Sequence, residues 1–150
     1  MKNKTIIKII LLILWILIIF SFSFQASNET NKTSSTFTKT IVNIALKITN
    51  TYKDDNQVND IVNKIHPIIR KLAHYTEFLI LGIFTLLLFK DFNMKYVYLY
   101  SIIFCLLIAI SDESIQLFID GRAGQIKDIL IDILGSITYI LFNKNINKLS

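Results

Sequence analysis

Three polar strings, each joined to a long apolar run, carry the residues of this chain able to do chemistry. Arg70-Lys71-Leu72-Ala73-His74-Tyr75-Thr76-Glu77 precedes one run and Asp112-Glu113-Ser114-Ile115-Gln116 ends another; Gly121-Arg122, then Asp128 and Asp132, open a third. Their spacing aims them. Arg70, His74 and Glu77 fall at i, i+4 and i+7 on one helical stripe; Asp112 and Gln116 share a face at i, i+4; Asp128, Asp132 and Gly135 repeat the stripe. An imidazole beside carboxylates suits general acid–base work, with His74 and Glu77 as candidate catalytic groups. Carboxylates such as Asp112, Glu113 and Asp128 also suit Mg²⁺ or Mn²⁺ held through oxygen. Arg70, Lys71 and Arg122 suit a phosphate or another carboxylate, for which the arginine fork is shaped. No zinc spacing occurs, no metal is assigned, and the residues leave open whether the chain is an enzyme.

These residues sit where ionisable groups are expensive. The 150-residue chain is 53% hydrophobic and only 18% charged, and its apolar residues are blocked rather than spread. Ile9–Phe24, Pro67–Phe89, Tyr96–Phe118 and Ile126–Phe142 each approach or reach the roughly 17–25 residues that cross about 30 Å of hydrocarbon. A soluble bundle would need polar helix faces, which these runs lack. The reading is an all-α membrane protein, a four-transmembrane-helix bundle. An ionised side chain at the bilayer centre costs roughly 2.5–3.5 kcal/mol on insertion scales, so those retained pair, line a wet cavity or act on a ligand. Glu77 lies about 13 Å into its helix and Asp132 about 6 Å beyond Asp128, too deep to snorkel, so both are expected to turn inward.

The organisation follows from these blocks. Residues 1–25 form a first anchor with a basic start, and Phe24 spoils a signal-peptidase site near Ala26, so the anchor is expected to stay. Residues 26–66 form an extracytoplasmic segment with short amphipathic helices: Phe37, Ile41, Ile44 and Ile48 recur at helical spacing, as do Val58, Ile61, Ile65 and Ile69, with Asp54-Asp55-Asn56 between them. The expectation is a helical hairpin on the membrane surface. His66-Pro67 marks the expected start of the second span, because proline suits a first helical turn and disfavours helix before it. Residues 67–142 are the three-helix core and 143–150 a cytoplasmic tail.

Counting spans places all three polar strings at one membrane face, whichever way the protein is inserted. The opposite face carries Lys2, Lys4, Lys8, Lys90, Lys95, Lys144 and Lys148 against the single acid Asp91. The other face holds the remaining nine of the 16 basic residues, most of them in the long 26–66 segment among acids; because the bias acts through short flanks, both termini are expected in the cytoplasm. The net charge of +5 is scattered, with no nucleic-acid footprint. The lone Cys105 lies mid-span, without a disulfide partner, as a small apolar filler.

In this order, Arg-Lys-x-x-His-x-x-Glu-Phe, Asp-Glu-x-x-Gln, Gly-Arg and Asp-x-x-x-Asp-x-x-Gly, the strings over residues 67–142 resemble the VanZ-like family of small bacterial membrane proteins. Phe22-Ser23-Phe24-Gln25 resembles the Phe-Ser-Ser-Gln-like signature of that family. Two departures stand out: Ile115 replaces a histidine common before the glutamine, and Asp120 replaces a proline before Gly-Arg. Losing that histidine weakens any scheme in which two histidines bind a metal or share a proton. The family is named for teicoplanin resistance. The resemblance therefore implies a multi-pass protein of the bacterial cell membrane, acting in the cell envelope at the outer face.

On this reading Arg70, Lys71, His74, Glu77, Asp112, Glu113, Gln116, Arg122, Asp128 and Asp132 form one binding site. Its expected ligand is an anionic lipid or cell-wall precursor headgroup, through which glycopeptide susceptibility would be modulated. The alternative is a membrane enzyme modifying a lipid-linked phosphate or sugar, with a divalent cation as its cofactor. Ion-coupled transport is a third class, but four short spans make a pore only as an oligomer. A salt-bridge network that merely fastens the helices is the structural alternative to all three.

Overall fold

Backbone amides in a long apolar run find partners away from water within a helix or in a closed sheet, and every apolar run here forms a helix. The computed structural model of the protein describes residues 2–24, 27–119 and 124–149. Among them are five helices and no strand: α1 (Lys2–Ser23), α2 (Ser27–Ile48), α3 (Asp55–Asp91), α4 (Val97–Leu117) and α5 (Ile126–Leu149). Three of these, α1, α3 and α4, are long and apolar enough to cross a membrane. α5 is as long, but Lys127, Asp128 and Asp132 lie in its first two turns.

The break in helix expected before Pro67 is absent from the structure. α3 is one helix of 37 residues with Pro67 inside it, about 55 Å long, nearly twice the thickness of a hydrocarbon core. Proline removes one backbone donor and crowds the preceding turn, but the turns before it are held by packing and capping. Val58 and Val62 bury against Val42 of α2, with Leu46, Ile61 and Ile65 around them. The Asp54 side chain accepts from the Gln57 amide at 2.8 Å, and the Asp54 amide donates back to Gln57 Oε1 at 3.4 Å. This reciprocal cap begins the helix at Asp55. The polar segment between the first two apolar runs is thus α2 folded back on the first third of α3, and that third is continuous with the span.

The main core draws Leu12 and Ile19 from α1, Phe78, Leu81, Leu86 and Leu88 from α3, Cys105 and Ala109 from α4, and Ile140 from α5. α3 and α5 share the most extensive interface, and two glycines set its closeness. A Cβ on Gly135 would collide with the Tyr75 carbonyl; one on Gly82 would lie 2.8 Å from the Ser136 carbonyl. Small residues at such contacts let two backbones approach. Tyr75 Oη donates to Thr138 Oγ1 at 2.9 Å across the same interface. Lys8 and Thr5 bind the two Asp91 oxygens at 2.6 and 2.9 Å, tying the start of α1 to the end of α3. The lone acid of the basic end is therefore taken up by its own helices.

Candidate functional site

The end of α1, the middle of α3, the end of α4 and the start of α5 meet at one end of the bundle. Ser23, His74, Asp112 and Asp132 converge there from those four helices. His74 Nδ1 faces Asp132 Oδ1 at 3.5 Å. Asp132 is fully buried, and neither of its oxygens nor His74 Nδ1 has a hydrogen-bond partner. Asp112 is also buried. It accepts from Ser23 Oγ through Oδ1, and from Gln116 Nε2 through Oδ2 at 3.1 Å. The same Gln116 nitrogen lies 3.1 Å from Glu113 Oε1, and Glu113 Oε2 accepts from the Gln125 amide at 2.8 Å. Gln116 is thus a buried bridge between two carboxylates, one facing α1 and α3, the other fastening the approach to α5.

Above this polar cluster opens a cleft of about 590 Å³ between α1, α2 and α3. Its walls are mainly apolar, including Trp15, Ile19, Phe37, Ile69 and Ile80, and its polar lining includes Ser34, Arg70, His74, Glu77 and Asp112. The α3 stripe read from spacing, Arg70, His74 and Glu77, is the stripe that faces the cleft. Trp15 Nε1 donates to the Glu77 carbonyl at 2.9 Å, which holds α1 against α3 as one wall. Concave, mostly apolar sites with a few convergent polar groups are the usual form of a small-molecule pocket.

Lys71 and Asp128 stand apart from this meeting point. Lys71 is exposed beside Arg70, because one residue along a helix turns the side chain by about 100°. Asp128 is half-buried, near enough to repel Glu113 and Asp132. Gly121 and Arg122 lie outside the described residues. Among the described residues, the group with ligand atoms within 4.8 Å of one another is His74, Asp112 and Asp132. Glu113 and Asp128, weighed from the sequence as cation ligands with Asp112, are not in it.

Two residues escaped the sequence reading. Ser23 caps the Asp112 carboxylate; its signal was a serine in an apolar run, within the Phe22-Ser23-Phe24-Gln25 motif. Ser34 of α2 lines the cleft and bonds His66 Nε2 at 2.6 Å, and nothing in its polar surroundings marks it out. No curated protein and no solved structure matches the chain. The VanZ/LLP1 family model matches residues 8–147, taking in all the residues of the buried cluster and the cleft, and the chain belongs to that family.

Proposed function

We propose that this VanZ-like protein is a four-span protein of the bacterial cell membrane, with both termini cytoplasmic, that binds an amphiphile with an anionic headgroup. The class is a phospholipid or a lipid-linked cell-wall precursor, and the consequence is altered glycopeptide (teicoplanin) susceptibility. One observation carries the reading: the cleft joins apolar walls to a polar end that holds Arg70. Acyl or isoprenoid chains gain by leaving water for such walls, and a guanidinium binds a phosphate through paired donors. The fourth span is α5, whose early charges fall at the polar end of the bundle and whose middle, residues 133–142, is largely apolar.

Lipid retained by the purified protein tests this. Wild-type protein extracted in mild detergent should carry anionic lipid or lipid-linked phosphate detectable by mass spectrometry. Arg70→Gln should lose most of it while keeping its helicity and membrane abundance, and should shift teicoplanin susceptibility. Equal lipid in wild type and Arg70→Gln would rule out headgroup recognition by this cleft.

A further inference from the structure

We infer that His74, Asp112 and Asp132 together bind one divalent transition-metal ion of the Zn²⁺ or Mn²⁺ class at the floor of the cleft. The three residues come from α3, α4 and α5 and present ligand atoms within 4.8 Å of one another. Asp132 is the independent pointer to an ion. Its side chain is 0% exposed, it faces the other two ligands, and both of its oxygens lack a hydrogen-bond partner. A buried carboxylate in that condition carries a desolvation cost that pairing must offset. The contact with His74 Nδ1 at 3.5 Å offsets that cost only in part, because it is longer than a hydrogen bond and leaves Oδ2 without a partner. A shared proton would satisfy one oxygen; a cation would answer both Asp132 and the unbonded His74 nitrogen.

The donor set narrows the ion. One imidazole with two carboxylates suits Zn²⁺ or Mn²⁺, whereas Mg²⁺ and Ca²⁺ prefer oxygen throughout. Tetrahedral ligands about 2.1 Å from zinc stand about 3.4 Å from one another, close to the 3.5 Å observed between His74 and Asp132. Supporting bonds are already in place on the third ligand. Ser23 and Gln116 hold the Asp112 carboxylate in place, the kind of outer support that orients a metal-binding carboxylate. His74 and Asp112 also line the cleft, so the open coordination position faces it and admits water or a phosphate oxygen. Metal binding stands on these three ligands and does not require the amphiphile reading.

The test uses tag-free, full-length protein in detergent without added lipid, stripped with EDTA and titrated with Zn²⁺ and with Mn²⁺. Wild type should take up about one ion per chain, measured by elemental analysis after desalting, and its Tm should rise on binding. Gln116→Ala, which removes a supporting bond, should weaken binding by about 10–100-fold; His74→Gln and Asp132→Asn should weaken it more. His66→Ala, altering the only other histidine, should bind as wild type does. Should Asp132→Asn misfold, the Tm rise of stripped wild type and the His74→Gln titration decide the question. Wild type that takes up no more metal than His74→Gln, or uptake that vanishes with His66→Ala, overturns the assignment.

Discussion

His74 and Asp132 face each other across the α3–α5 interface, Nδ1 to Oδ1, at 3.5 Å, with the aspartate wholly enclosed by protein. It is a polar contact between the two helices that share the most extensive interface. Gly135, one turn from Asp132 on α5, packs against the backbone carbonyl of Tyr75, the neighbour of His74 on α3. Shape and charge therefore depend on each other: the glycine brings the helices close enough for the imidazole and the carboxylate to meet.

The two residues should be energetically coupled. In EDTA, His74→Ala should cost about 1–3 kcal/mol of stability by removing a polar group that faces the buried Asp132 carboxylate. His74→Ala with Asp132→Ala should cost less than the sum of the single changes, with a coupling of about 0.5–3 kcal/mol. Denaturant unfolding in mixed micelles followed by circular dichroism measures all four proteins. Strict additivity would mean that the two side chains do not interact.

Gly135→Ala should destabilise the bundle by about 1–3 kcal/mol, because the new methyl meets the Tyr75 carbonyl backbone rather than a movable side chain. Leu134→Ala, one residue away on the outward face and 57% exposed, should change stability by less than about 0.5 kcal/mol. Comparing the two Tm values in the same detergent checks this. An equal loss in both would show that the close approach is not what holds α3 to α5.

Pro67→Ala should stabilise α3. It restores an amide donor to the Asn63 carbonyl and removes a residue that costs a helix interior up to about 3 kcal/mol relative to alanine. Slower amide exchange across residues 63–70, with an unchanged or higher Tm, is the expected result. A lower Tm would mean that the helix depends on a bend at the proline.

Single cysteines in a Cys105→Ser background report how α5 lies in the membrane. With four spans, Met94→Cys and Lys144→Cys share one face, and Asp55→Cys lies on the other. An impermeant thiol reagent on intact cells should label Asp55→Cys and spare the other two until the cells are opened. Met94 is used because Asn93 adopts a left-handed backbone, φ 51°, where cysteine is strained. Labelling of Lys144→Cys together with Asp55→Cys would leave α5 outside the bilayer.

What the sequence by itself determined was the set of apolar helices and the end of the bundle at which the polar strings meet. Apolar blocks favour helices because backbone groups can pair within them, and antiparallel packing of successive helices brings His74, Asp112 and Asp132 to one end. Spacing also placed Arg70, His74 and Glu77 on one stripe, since a helix turns about 100° per residue whatever surrounds it. The tertiary structure alone decided which side chains touch. That Asp132 meets His74, that Ser23 caps Asp112, and that Glu113 turns away to the Gln125 amide depend on the rotation and approach of whole helices. Local periodicity carries no information on either. Packing likewise overrode the local signal at Pro67: the preceding turns stay helical because Val58 and Val62 bury against Val42, a contact between segments that the sequence shows only as separate.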